Sequence, residues 1–73
     1  MSADKIIHMA NQIALFMESK PHAEGIAGFA SHINDFWEPR MRCQFFELMD
    51  RGGEGFRPLV IEAAARVKRP KTA

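Results

Sequence analysis

One cysteine and three histidines are the side chains in this 73-residue sequence best suited to form a covalent intermediate or hold a metal. Cys43 with His32 or His8 as its base would be a nucleophile only inside a cleft with a positioned partner, because the thiolate is the reactive form. His8, His22 and His32 would need i, i+3 or i, i+4 spacing to set two ligands on one helical face, and no pair of them has it. With a single thiol the chain can form no internal disulfide and no zinc-finger ligand set. His32 and Asp35 are one helical turn apart and placed for a local hydrogen bond. The residues therefore assign no catalytic, cofactor-binding or metal-binding role to this chain.

Charge offers a second chemistry. Lys and Arg number 10 against 9 Asp and Glu, for a net charge of +1, but the distribution is uneven. The part before Trp37 is mildly acidic, whereas Arg66, Lys68, Arg69 and Lys71 form a basic tail. A small helical nucleic-acid-binding module is thus an alternative reading, although no continuous basic stripe follows the helices to track phosphates. The segment Phe36-Trp37-Glu38-Pro39-Arg40-Met41-Arg42 gathers a Trp, two Arg and a Met around a rigid turn, the residue types enriched among interface anchors. Core packing of Phe36, Trp37 and Met41 is the competing account.

Proline and glycine divide the chain into the elements that position these groups. The first helix runs from about Ala3 to Ser19, capped by Ser2 or Asp4, with Ile6, Ile7, Met9, Ala10, Ile13, Ala14, Phe16 and Met17 on one wide face. His8 and Leu15 fall on the opposite polar face and are candidate contact residues. A second helix, about His22 to Trp37, turns Ala23, Ile26, Phe29, Ala30, Ile33, Phe36 and Trp37 inward. Glu24, Gly28, Ser31, His32 and Asp35 turn outward. Of its two glycines, Gly28 is expected to admit a neighbouring backbone and Gly25 to fray. The third helix starts at Pro39 and runs to about Asp50, capped by Gly52 or Gly53. Its inner stripe is Met41, Phe45, Leu48 and Met49, with Arg42 set between Met49 and Phe46. Gly53-Glu54-Gly55 makes a short turn, Pro58 opens a fourth helix, and Leu59, Val60, Ala63, Ala64 and Val67 face inward, with Ile61 and Ala65 towards the outside.

The expected fold is all-α, a single domain over residues 1–73 made of a small bundle of about four short helices, with residues 68–73 as a flexible basic tail. So short a chain buries only about 60% of its unfolded surface and has one small core. No apolar run approaches the roughly 18 residues of a membrane-spanning helix, and Met1-Ser2-Ala3-Asp4 lacks the pattern of a secretory signal, so a cytoplasmic protein is expected.

Several strings together resemble one family. They are Met9-Ala10-Asn11-Gln12-Ile13-Ala14, then His32-Ile33 with Phe36-Trp37-Glu38-Pro39-Arg40-Met41-Arg42, then Gly52-Gly53-Glu54-Gly55 with Pro58-Leu59-Val60. They resemble the delta subunit of soluble NAD-dependent formate dehydrogenase over about Lys5 to Val67. The resemblance implies a non-catalytic accessory subunit of a molybdenum or tungsten enzyme. The other subunits of such a complex carry bis-molybdopterin guanine dinucleotide, iron–sulfur clusters, FMN and the NAD site, with no cofactor in this chain. The large alpha subunit is the implied partner, and no membrane or nucleic acid is involved. Assembly, cofactor insertion and stability of the complex are the roles it suggests, and a free-standing homo-oligomer is a third reading. Trp37, Arg40, Arg42, Phe46, His8 and Leu15 are the candidate partner-binding residues.

Overall fold

Pro39, Pro58 and the Gly52-Gly53 pair bound their helices as expected in the computed structural model, which describes residues 2–70. The helices are α1 (Ala3–Met17), α2 (His22–Phe36), α3 (Pro39–Asp50) and α4 (Pro58–Ala63), and α4 tightens into a 3₁₀ turn over Ala64–Arg66. Among the described residues there is no strand, so the fold is an all-α bundle of four short helices. The Ser2 hydroxyl accepts the Lys5 N–H at 3.3 Å and caps α1. Pro39 and Pro58 occupy helix starts, where a missing N–H costs no intrahelical bond.

The end of α3 is a Schellman cap, in which two N–H groups fold back to satisfy carbonyls the helix leaves unpaired. The Gly52 N–H donates to Met49 O at 3.1 Å and the Gly53 N–H to Leu48 O at 3.0 Å. Gly52 reaches φ 116° to do so, a conformation that side chains with a Cβ rarely adopt.

Helix α2 packs on α4 and α1, and α1 on α3 and α4. Phe45 is the hub of the core, its ring lying 5.3 Å from Phe46, 5.3 Å from Phe56, 6.0 Å from Trp37 and 6.4 Å from Phe29. Aliphatic groups from the other helices close around it, with Ile6, Ile33 and Val60 fully buried. At ring spacings of 4.5–7 Å such aromatic contacts add to the area term, which matters in a chain this small.

Several residues do not sit where periodicity alone puts them. Phe16 and Phe36, on the expected inner faces, are 62% and 74% exposed, and Ala23 is exposed as well. The apolar arc of α1 is wider than its neighbours cover. Phe36 is the last residue of α2, and there the chain leaves the helix in extended form at Trp37, which takes the core position instead. The glycines exchange roles. Gly25 is buried, and a Cβ there would stand 2.6 Å from the Met17 carbonyl oxygen, so this is where two backbones meet. At Gly28 a Cβ would meet only the Met17 Sδ, the movable end of a side chain. Periodicity cannot distinguish the two glycines, because both lie on the side of α2 that approaches α1.

The expected flexible tail is partly a packed one. Lys68 and Arg69 are held against α2 and α3 by hydrogen bonds described below, while Lys71, Thr72 and Ala73 lie outside the described residues.

Candidate functional site

The turn from Trp37 to Arg42 is built by α2 ending in an extended residue and α3 starting on Pro39. Trp37 is buried, edge-on to Phe45. Phe46 is also buried, with the Arg69 guanidinium 4.4 Å above its ring. These two expected contact anchors are therefore part of the domain's own core. The reason is tertiary: the chain beyond α4 returns over the face of α3 that helical angles leave open. Arg42 finds neither an acid nor open solvent. Its Nη1 donates to the Lys68 carbonyl at 2.9 Å, and its buried Nε has no hydrogen-bond partner. Arg40, His8 and Leu15 remain exposed, Leu15 by 53%. The candidate residues are thus divided: Arg42 and Phe46 lie under the returning segment, Trp37 is buried against Phe45, Arg40 is exposed at the start of α3, and His8 and Leu15 are on the solvent face of α1.

Two asparagines organise what sequence reasoning left as loop and tail. The Asn34 side-chain Nδ2 donates to Arg66 O at 3.2 Å and its Oδ1 accepts the Lys68 N–H at 2.8 Å, gripping the two peptides that flank buried Val67. Asn11 does the same to Phe56, with Nδ2 donating to Gly55 O and Oδ1 accepting from the Arg57 N–H, each at 2.9 Å. Asn11, Asn34 and Phe56 carry none of the candidate roles. The available signal was that asparagine is a poor interior helix residue, so one on a half-buried helical face implies work for its amide.

Among the described residues three ion pairs form. Arg57 makes a two-pronged bond to Glu18, at 2.6 and 2.9 Å, and this holds the Glu18 carboxyl below its ordinary range. Arg69 does likewise for Asp50, at 2.8 and 3.2 Å, and the Asp50 carboxyl is lowered for the same reason. His22 Nε2 lies 2.7 Å from Glu62. With Glu18, Lys20, Arg57, Pro58 and Leu59 this pair lines an open cleft of about 410 Å³ where α1 ends and α2 and α4 begin. His32 lies against Phe36, ring centres 4.9 Å apart, and Asp35 is approached by the Ser31 hydroxyl at 3.5 Å. Cys43 is exposed beside a second hollow, of about 390 Å³, formed with Phe46, Glu47, Asp50, Arg69 and Pro70.

These donors are dispersed. Among the described residues no three of His, Cys, Asp and Glu converge in a way that could hold a metal ion. An iron–sulfur cluster asks for several thiolates, which a chain with one cysteine does not offer. No helix of the described residues is long and apolar enough to cross a membrane.

Among the described residues four large apolar side chains are exposed: Leu15 and Phe16 at the end of α1, Phe36 at the end of α2, and Ile61 on α4. Gly25 near the start of α2 meets Met17 at the end of α1, so Phe16 lies beside the start of α2. Phe36, at the other end of α2, is then on the order of 20 Å away from the helical rise.

No curated protein and no solved structure gives a significant match to this chain. The family model of the NADH-dependent formate dehydrogenase delta subunit, FdsD, does match, over residues 5–64, which takes in α2, α3, α4, all but the first two residues of α1, and the Asn11-gripped loop. With most of its length inside that match, the chain belongs to the formate dehydrogenase delta subunit family.

Proposed function

We propose that this chain is a non-catalytic accessory subunit that docks on the large catalytic subunit of formate dehydrogenase in the cytoplasm and supports assembly, cofactor insertion or stability of the complex. In this reading the molybdopterin, iron–sulfur, flavin and NAD chemistry belongs to the other subunits. One observation carries the docking: a chain short of core material leaves Phe16 and Phe36 largely in water. Exposed aromatic groups of this kind mark contact surfaces, since burying each on a partner recovers about 25 cal/mol per Å² of apolar area. Leu15 extends the Phe16 end, and His8 lies two turns away on the same face of α1. The pairing of Arg57, Arg69 and His22 with carboxylates supports an interaction role, because these ionisable groups serve the fold itself.

The test is capture of the large subunit by the tagged full-length chain, compared with Phe16→Ser and Phe36→Ser. Each variant is expected to melt at the temperature of the unmodified chain and to lose about 2 kcal/mol of binding, the value of an aromatic anchor, or roughly 30-fold in affinity. Undiminished capture by the double variant would overturn the assignment of this surface. Binding to nucleic acid that falls steeply with added salt would favour the alternative module.

A further inference from the structure

The segment Val67–Pro70 sits on the bundle in the manner of a bound peptide. Val67 is extended (φ −82°, ψ 130°) and buried. Its two flanking peptides are gripped by the Asn34 amide, as a neighbouring strand would grip them. The following carbonyl, of Lys68, accepts from Arg42, and the side chain two positions after Val67, Arg69, stacks on Phe46 and pairs with Asp50. The site thus reads four features of an extended chain: two peptide groups, a β-branched apolar side chain, a carbonyl, and a cation two residues further on. Apart from Val67 and the Arg69–Phe46 contact, the fastening consists of a few hydrogen bonds from half-buried Asn34 and Arg42 and the exposed Arg69–Asp50 pair. A segment with so few buried apolar contacts opens at the low end of the local stability scale. The family match ends at Ala64, before this segment begins.

We propose that Asn34, Arg42, Phe46 and Asp50 form a binding site for an extended peptide segment, occupied here by the chain's own Val67–Arg69 and open to exchange with a partner segment of the same pattern. That pattern is a β-branched apolar residue followed two positions later by Arg or Lys. When the chain's own segment leaves, Arg42 loses its one acceptor while its Nε already has none, and the Phe46 ring loses its cation, so the vacated site favours a replacement of matching chemistry. The inference deepens the accessory reading and rests on it only for where the partner segment comes from.

The experiment uses the full-length chain, isotope-labelled for NMR, and as probe a capped hexapeptide with the sequence of residues 65–70. In the intact chain the Lys68 amide is expected to exchange with solvent faster than that of Phe45, reporting opening of the segment while the core stays folded. In Val67→Ser, which weakens the resident segment and leaves the site intact, the peptide should saturably shift the Asn34 side-chain amide. Its apparent affinity should be at least about tenfold above that for the intact chain, because self-occupancy lowers apparent affinity by the fraction of sites left open. Asn34→Ala added to that variant should remove the response. Should Val67→Ser fail to fold, Arg69→Ala, which alters an exposed side chain, serves in its place. The proposal is overturned if the folded variant gives no saturable shift, or if a peptide with glutamate at its second arginine position works equally well. It is also overturned if the Lys68 amide exchanges as slowly as the core, or if the segment instead seats on a second copy and the intact chain dimerises with concentration. None of these readouts needs another subunit, so loss of large-subunit capture with peptide binding intact would refute the accessory reading alone.

Discussion

Asn11 and Asn34 make the same pair of hydrogen bonds on two helices, yet the segments they hold differ in how firmly they are bound. The Asn11 loop is tethered at both ends by α3 and α4, carries Phe56 into contact with the Phe45 hub, and is locked outside by the Arg57–Glu18 pair. The Asn34 segment follows the 3₁₀ turn at the end of α4 and carries the smaller Val67. Its outer lock, Arg69–Asp50, is the more exposed of the two pairs. An identical local device therefore yields a fixed part of the core in one place and a detachable cover in the other. What differs is the area of the gripped side chain and the exposure of the outer ion pair.

The largest expected effect tests the first half of that contrast. Phe56→Ala should destabilise the domain by about 3–5 kcal/mol, as aromatic truncations in a core do, whereas Val67→Ala should cost about 2 kcal/mol or less from the methyl groups removed. Chemical denaturation of both variants measures the gap, and equal losses would break the comparison. Next in size, Asn11→Ala should cost about 1–3 kcal/mol of global stability by orphaning peptide groups in a loop that cannot move away. Asn34→Ala should lower the global value less and show itself as faster amide exchange over residues 66–68. Global losses of the same size would mean that the C-terminal segment is as integral as the loop.

The smallest effect is a matter of pH. The Glu18 and Asp50 carboxyls are both depressed in the folded protein, chiefly by hydrogen bonds from Arg57 and Arg69. Each contribution is therefore present above the ordinary carboxylate range and is lost as pH falls through the lowered folded value. Acid titration of the melting temperature should show a modest decline below the ordinary carboxylate range, reduced in Glu18→Gln and in Asp50→Asn. Exposure and salt screening keep both contributions small. A decline unaffected by either change would assign acid sensitivity to other groups.

Helical periodicity, proline at helix starts and glycine at the α3 end made the four helices legible, along with most of the core, because those signals act within a few residues of one another. The candidate contact residues were legible only in part. Arg42 stood out correctly as a cation within an apolar arc, but its acceptor, the Lys68 carbonyl, is 26 residues away in sequence. Phe56 had no helical neighbours to give it a period, so its burial depends on Asn11, which is 44 residues from Gly55.

The sequence by itself determined the fold class, the helix starts and the family, since apolar spacing, caps and short motifs are written in adjacent residues. Tertiary structure alone decided which aromatic groups are core and which face water. Exposure of Phe36 and burial of Phe46 depend on what another part of the chain brings over them, and a helix places its own side chains but not its neighbours.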